Sequence, residues 1–413
     1  MNLILRDYQI DISKRAVKIL QDKNIVYLAM QVRTGKTITS LETCKLFGAK
    51  KVLFITKIKA FESIKNDCKD FNFKTFIINN ESLHKIIDND FDVIISDEHH
   101  RSGAYPKTNN WIKIFKEKFS NKPMIFLSGT PTPESFSQWY HQFWVSDFSP
   151  FKKYKNFYKW SNNFVNVTQK NLGYAKVNDY SHAKIDLIQP IINDYIITFT
   201  QKESGFKSIV NEKILYVEMQ PITYEIIKKL KKDLIVKNNL NQVILADTAV
   251  KLMQKIHQLF SGTCKFEDGT SKVIDNSKAL FIFNYFKNKK IAIFYKFKEE
   301  YNALVEVYGQ LLTNDLQEFN ATNKCIALQI VTGREGISLS NAESLVYYNI
   351  DFSAVSYWQS RDRLTTINRL ENNIYWIFSK DGIEDKIYKT VLLKKNFTTS
   401  IFKQWNQKYN LKL

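Results

Sequence analysis

The first third of the chain alternates short apolar runs with amphipathic stretches. Ile25–Met30, Lys51–Lys57, Lys74–Asn79, Phe91–Ser96 and Pro123–Ser128 read as strands. Between the first two, Thr37–Phe47 sets Ile38, Leu41 and Cys44 at helical spacing, with Gly48 placed as a C-terminal cap. Strands joined by helix-length crossovers predict a parallel α/β sheet. A second series follows late in the chain, at Lys290–Lys296, Lys324–Val331, Ser344–Asp351 and Asn373–Ser379, and predicts a second α/β domain. The texture differs from Trp139 to Val273. There FSPFKKYKNFYKWSNNF interleaves lysine with aromatic residues, and Tyr224–Lys237 reads as a helix. This divides the chain into 1–138, an intervening helical and aromatic-rich segment 139–273, and 274–413.

Composition adds one strong signal. The 413 residues carry a formal charge of +19 and a pI near 9.4. A surplus of that size favours a polyanionic partner, because each lysine or arginine set against a phosphate releases condensed counterions. A lysine-rich genome would raise the charge as well. Cys44, Cys68, Cys264 and Cys325 are scattered without a CxxC pair, as expected for reduced thiols in the cytoplasm. No apolar run approaches the roughly 18–20 residues of a membrane span, and MNLILRDYQIDISKR becomes charged too early for a secretory signal.

Chemistry concentrates in three stretches. MQVRTGKTIT contains Thr34, Gly35, Lys36 and Thr37 after an apolar strand and at the start of a helix. That is the context of a phosphate loop: Gly35 permits close backbone approach, Lys36 supplies a point charge, and Thr37 offers a hydroxyl to magnesium. The glycine that usually opens such a loop is replaced by Met30. DVIISDEHH ends an apolar strand on Asp97 and Glu98, a pair suited to hold a metal ion and to orient an attacking water, respectively. His99 and His100 have no further ligand at metal-binding spacing. FLSGTPTPE then places the hydroxyls of Ser128 and Thr130 after another strand, where they can link nucleotide and nucleic-acid sites.

GKT, DEHH and SGTP, in this order and spacing, resemble motifs I, II and III of superfamily 2 helicases and translocases. LRDYQ (Leu5–Gln9) resembles the segment upstream of motif I, which makes Gln9 the adenine-selecting residue. FIINNESLH (Phe76–His84) resembles a segment that touches a nucleic-acid strand. IAIFYKF (Ile291–Phe297) resembles motif IV, and QIVTGREGISLSNAESLVYYNID resembles motif V of the Swi/Snf-like branch and its small phage-encoded members, with Gly333, Gly336, Ser338 and Leu339 in matching places. YWQSRDR (Tyr357–Arg363) resembles the start of motif VI. The resemblance implies two RecA-like lobes, ATP and Mg2+ as cofactors, and a nucleic-acid track, most readily duplex or branched DNA; the chain is expected to be a monomer away from membranes, working alone or as a protein partner's engine. It implies nucleotide contacts at Gly333, Gly336 and Gln359, phosphate-stabilising charge from Arg363, and nucleic-acid contacts at Lys57, Asn80, Glu81, Ser128, Thr130, Lys296 and Thr332. Motif VI departs from the family pattern, with Thr366 where a second arginine is expected. Arg369, three residues on, and Arg361 are the candidates to replace it. The activity implied is a DNA translocase or remodelling ATPase. Strand separation by a DNA or RNA helicase, and a hydrolysis-impaired clamp or scaffold, are the alternatives.

In Phe148–Phe164 the aromatics suit either a single-strand stacking platform or the buried face of an amphipathic helix, and the spacing favours the buried face.

Overall fold

The run IVYLAM is apolar on both faces, as a strand covered on both sides requires. The computed structural model shows this: Ile25–Met30 (β1) is buried at all six positions. The structure describes residues 4–88, 90–171, 176–207, 209–238, 240–333, 337–366 and 369–392. The chain divides into two compact units, within Met1–Gly205 and Phe206–Phe397.

The first unit is built on a six-stranded parallel sheet. Its further strands are Lys51–Ile55 (β2), Lys74–Ile78 (β3), Val93–Ser96 (β4), Met124–Leu127 (β5) and Ile196–Phe199 (β6), in the order β3-β2-β4-β5-β1-β6. Two helices matter for the site, Asp7–Lys23 (α1) and Lys36–Phe47 (α2). Helix α2 is buried at Thr39 through Cys44 with little regard to face, because it is packed against both the sheet and α1. Its threonines turn their hydroxyls back onto the helix, Thr39 to the Gly35 carbonyl and Thr43 to that of Thr39, which lets polar residues lie in the core. Gly48, at φ +83°, closes the helix in the left-handed conformation that glycine accepts without penalty.

The second unit repeats the plan. Ile209–Val217 (β7), Ile291–Tyr295 (β8), Leu312–Thr313 (β9), Cys325–Gln329 (β10), Ser344–Tyr347 (β11) and Glu371–Ser379 (β12) form a parallel sheet in the order β9-β10-β8-β11-β12-β7. The α/β, two-lobe architecture expected from the sequence is therefore present. Each sheet also takes an edge strand from the segment 139–273. β6 pairs with β1, and β7 pairs with β12 along all nine residues, Ile209 with Glu371 through Val217 with Ser379. Residues up to Gly205 thus pack with the first sheet and those from Phe206 with the second.

The aromatic stretch is core. Phe151, Phe157, Trp160 and Phe164 are buried, whereas Lys152, Lys153, Lys155 and Lys159 are exposed. The helix is shorter than the spacing suggests, only Phe157–Phe164, and the Asn156 side chain caps it by accepting from the Lys159 amide at 3.0 Å.

Candidate nucleotide site and its companions

All strands of the first sheet run parallel, so the loops after β1, β4, β5 and β6 leave from one edge, where α/β sheets bind ligands. The strand order puts β5 between β4 and β1. The SGT turn is therefore flanked by the DEHH turn on one side and the GKT loop on the other.

Met30 is fully buried at the last position of β1, paired with Phe199, so the place of the missing glycine belongs to the sheet. The loop proper is Gln31–Gly35. It turns through two left-handed residues, Arg33 at φ +64° and Gly35 at φ +79°. A non-glycine residue in that region is strained and persists where its surroundings hold it. The holding groups come from just past β6. Gln31 N–H donates to the Phe199 carbonyl at 2.9 Å, the Gln201 amide N–H to Gln31 Oε1 at 2.7 Å, and Gln201 Nε2 to the Val32 carbonyl at 3.0 Å. Thr34 Oγ1 donates to the Gln31 carbonyl at 2.7 Å, and Lys36 Nζ reaches the same oxygen at 3.3 Å. Thr37 stands in the first turn of α2.

Gln9 lies against this loop. A Cβ on Gly35 would come within 2.2 Å of Gln9 Nε2, so the absence of a side chain is what lets the amide rest there. Tyr8 secures the approach: its hydroxyl donates to the Thr34 carbonyl at 3.2 Å and its ring stacks on Phe199 at 4.6 Å.

Asp97 and Glu98 are packed close to Lys36. Asp97 Oδ2 accepts from Thr56 Oγ1 and Oδ1 from the Glu98 amide, both at 2.9 Å. Glu98 takes a left-handed backbone, φ +47°, which lets its side chain turn to His100. His100 Nδ1 lies 3.2 Å from Glu98 Oε2 and 3.0 Å from Ser128 Oγ, and Ser128 Oγ accepts from the Thr130 amide at 3.1 Å. An ionised carboxylate only accepts, so Nδ1 carries the proton that faces both oxygens. A continuous polar chain thus joins Glu98, His100, Ser128 and Thr130.

Burial, and then the Glu98 charge, push Asp97 up to about 6, against the pull of Thr56 and Lys36. Burial also opposes ionisation of Glu98, but His100, Lys36 and Lys57 outweigh it and hold that carboxyl down at about 2. A proton shared by the pair therefore resides on Asp97. Lys57 is thus near enough to act electrostatically on Glu98. Thr37 and Asp97 are oxygen donors of the kind magnesium takes, and the ion would supply neutralising charge to a bound phosphate.

His99 is a core residue. Its ring stacks on Phe126 at 3.7 Å, Nδ1 meets Ser96 Oγ at 2.9 Å, and Nε2 donates to the Gln142 carbonyl at 2.8 Å. Burial lowers it to about 3, so it is neutral. Among the described residues no cluster of three or more His, Cys, Asp or Glu is placed to hold a metal.

The motif residues of the second unit are engaged differently. Lys296 Nζ pairs with Asp351 Oδ1 at 3.0 Å, with the rings of Phe352 and Phe297 at 4.8 and 5.6 Å. Gly333 is explained by packing, since a Cβ there would meet Phe294 at 2.6 Å and Leu328 at 2.9 Å. Gln359 is buried, and Arg363 donates to the Gln359 and Ile337 carbonyls at 2.8 and 3.2 Å. Gly336 and the side chain of Thr332 lie outside the described residues.

The two candidates for the missing arginine are placed elsewhere. The helix carrying Gln359 ends at Arg361, so Arg369 shares no helical face with it. Instead the Arg369 guanidinium donates to the carbonyls of Glu371, Ser340, Ala342 and Glu343 at 3.0, 3.2, 2.7 and 2.6 Å. Those residues precede β11 or begin β12, at the amino edge of the sheet. Arg361 pairs with Glu212 at 3.2 Å, and Glu212 also accepts from Tyr357, Trp376 and Tyr388. Asn80, expected at a nucleic-acid surface, is only 3 % exposed, while Glu81 is exposed beside Arg101 at 3.5 Å.

Residues 56–133, from the end of β2 through the SGTP turn, match the family described as Type III restriction enzyme, res subunit. The chain is also similar to the solved structure titled "Sulfolobus solfataricus SWI2/SNF2 ATPase core in complex with dsDNA". That likeness has a TM-score of 0.45 at 14% identity, over 97% of this chain and 93% of the other.

Proposed function

We propose that this chain, an α/β protein of the superfamily 2 helicase/translocase type, is a nucleic-acid-dependent ATPase that moves along or remodels duplex DNA. The observation that carries the reading is the polar chain from Glu98 through His100 and Ser128 to Thr130, beside the Lys36 loop. It joins a group that can orient water to a turn of hydroxyls on an adjacent strand. Such an arrangement couples hydrolysis to whatever the turn contacts. In this reading ATP sits on the Gln31–Gly35 loop with Mg2+ at Thr37 and Asp97. Gln9 selects the base, and Arg363 supplies transition-state charge. Lys57 and Lys296 contact the nucleic acid.

Phosphate release with no polynucleotide, single strands, duplex, forked DNA and RNA, all at one salt concentration, tests it. Duplex or forked DNA is expected to stimulate most. A rate indifferent to every polynucleotide would defeat the reading.

One observation favours a second reading. Thr366 stands in motif VI, Arg369 is bound to four carbonyls, Arg361 is paired with Glu212, and Arg363 itself donates to the Gln359 and Ile337 carbonyls. A chain so equipped hydrolyses slowly and serves as an ATP-dependent clamp. Nucleotide-dependent DNA retention without stimulated turnover distinguishes this outcome.

A further inference from the structure

Between Asp147 and Asp179 the chain contains six lysines and no acidic residue. The flanking acids are themselves engaged: Asp147 lies 3.7 Å from Lys116, and Asp179, 10 % exposed, lies 3.8 Å from His182. Phe151, Phe157, Trp160 and Phe164 of this stretch are core, so Lys152, Lys153, Lys155 and Lys159 project from a packed base. The chain next forms an antiparallel ribbon, Thr168–Asn171 against Lys176–Asp179, closed at its foot by a bridge from Val165 to Ala183. Lys176, Val177 and Asn178 are exposed on it. The helix Phe157–Phe164 packs on the same foot, with Phe157 and Tyr158 at 5.3 and 6.0 Å from Tyr180.

The foot is tied to the site. Ser135 Oγ donates to the Ser181 carbonyl at 2.6 Å and Ser137 Oγ to that of Tyr180 at 2.5 Å, both just after the SGTP turn. Gln138, in the same segment, is pressed against Gly103 after DEHH: a Cβ on Gly103 would lie 2.8 Å from that of Gln138.

We propose that the Lys152–Lys159 segment and the ribbon form a second nucleic-acid contact, outside the helicase-like motifs, that grips the phosphate backbone of duplex DNA. The inference deepens the proposed function and rests on it. Charge complementarity identifies the occupant: unopposed ammonium groups on a fixed base suit a polyanion whose charges repeat along a line. A two-stranded ribbon is also of a width that the major groove admits. Its anchorage beside SGTP and DEHH gives such a contact a mechanical path to the nucleotide site, which a membrane or an acidic protein would not require.

The test compares the full chain with K152Q/K153Q/K155Q, with K176Q, and with a charge-matched control, K228Q/K229Q/K231Q, on the exposed face of the helix Pro221–Asp233. Duplex-DNA affinity is read by anisotropy across a salt series, and folding by the thermal midpoint. The first triple variant is expected to lose roughly tenfold or more in affinity and to flatten the salt slope by about 2 to 3. K176Q is expected to flatten it by about 1, and the control to stay within about twofold. Parent-like affinity and slope in both test variants, with stimulated hydrolysis intact in the parent, overturn this contact and leave the ATPase reading standing. Equal losses in the control overturn it too, since net charge alone then explains binding. A parent that neither binds DNA nor responds to it overturns both. Selective loss of RNA or anionic-vesicle binding, with DNA affinity unchanged, overturns the choice of occupant.

Discussion

The two units share an architecture and use their polar residues in opposite ways. In the first, the groups that hold the site lie behind it. Gln201, Thr56 and Ser128 take up backbone or carboxylate positions and leave Lys36, Asp97 and Glu98 gathered near one another. In the second, the motif residues themselves have partners within the fold. Arg369 staples loop carbonyls, Lys296 pairs with Asp351, and Arg361 fills a hub around Glu212. Similar sheets therefore do not imply similar labour. The first unit gathers a lysine and two carboxylates, and in the second Arg361, Arg369 and Lys296 are each paired within the fold.

The largest expected effect is on the first side of that contrast. Lys36→Ala and Glu98→Gln should each cut DNA-stimulated phosphate release by on the order of a hundredfold or more, with the fold intact by circular dichroism. Near-parent turnover in both would move the chemistry elsewhere.

Arg369→Leu probes the other side. It orphans four carbonyls at a partly buried edge, which should destabilise the second unit by about 2–3 kcal/mol in urea unfolding. Hydrolysis per folded molecule should stay within about threefold. A hundredfold loss of turnover with an unchanged unfolding midpoint would make Arg369 a phosphate-binding arginine after all and dissolve the contrast.

His100→Ala is expected to reduce the stimulation by DNA by roughly tenfold, about 1.4 kcal/mol, because Glu98 and Ser128 lose their common partner. ATP affinity should be nearly unchanged, since His100 does not lie on the phosphate loop. Equal loss of ATP affinity and of stimulation would show that the histidine merely supports the fold.

The smallest effect is a pH slope. His99 and His141 are buried and held at about 3 and about 4, so above those values only the unfolded chain takes up their protons below pH 6.5. That lowers stability as pH falls. Asp97, raised to about 6, binds its proton preferentially in the folded state and works the other way. Between pH 6 and 5.5, where Glu98 stays ionised in both states, the net excess is about one proton in the unfolded state, so the first unit should lose stability at about 1.4 kcal/mol per pH unit. Asp97→Asn removes the opposing group and should steepen the slope toward twice that value. A shallower slope in the variant would contradict the placement of the shared proton.

The central strands were legible because parallel strands covered on both faces are nearly pure apolar runs, as IVYLAM and IAIFY show. The edge strands taken from the segment 139–273 were not. Ile196–Phe199 is buried fully at one position of four, where the equally short β4 and β5 are buried at all four, and Ile209–Val217 carries Asn211, Glu212 and Lys213 in its middle, where one face of an edge strand meets polar partners. The GKT, DEHH and SGTP stretches were visible through local spacing. Gln201, which holds the phosphate loop from 170 positions away, has no local signature. His100 was visible only as half of an improbable metal pair, since its partner Ser128 lies 28 positions on, past the adjacent strand. Arg369 looked available because a sequence does not show which carbonyls the fold will bring to a guanidinium.

The contact between Gly35 and Gln9 has a consequence for how this chain can vary. Positions 26 residues apart occupy one volume, so neither is free to drift alone: any side chain at 35 collides with the amide at 9. Shortening Gln9 would relieve the collision but not the left-handed backbone, which Gly35 satisfies separately at φ +79°. A library randomised at both positions should therefore return a lopsided pattern of epistasis. Residue 9 would tolerate changes only while 35 stays glycine, and Asn, which accepts the left-handed region more readily than other side chains, would be the rare exception at 35 when 9 is small.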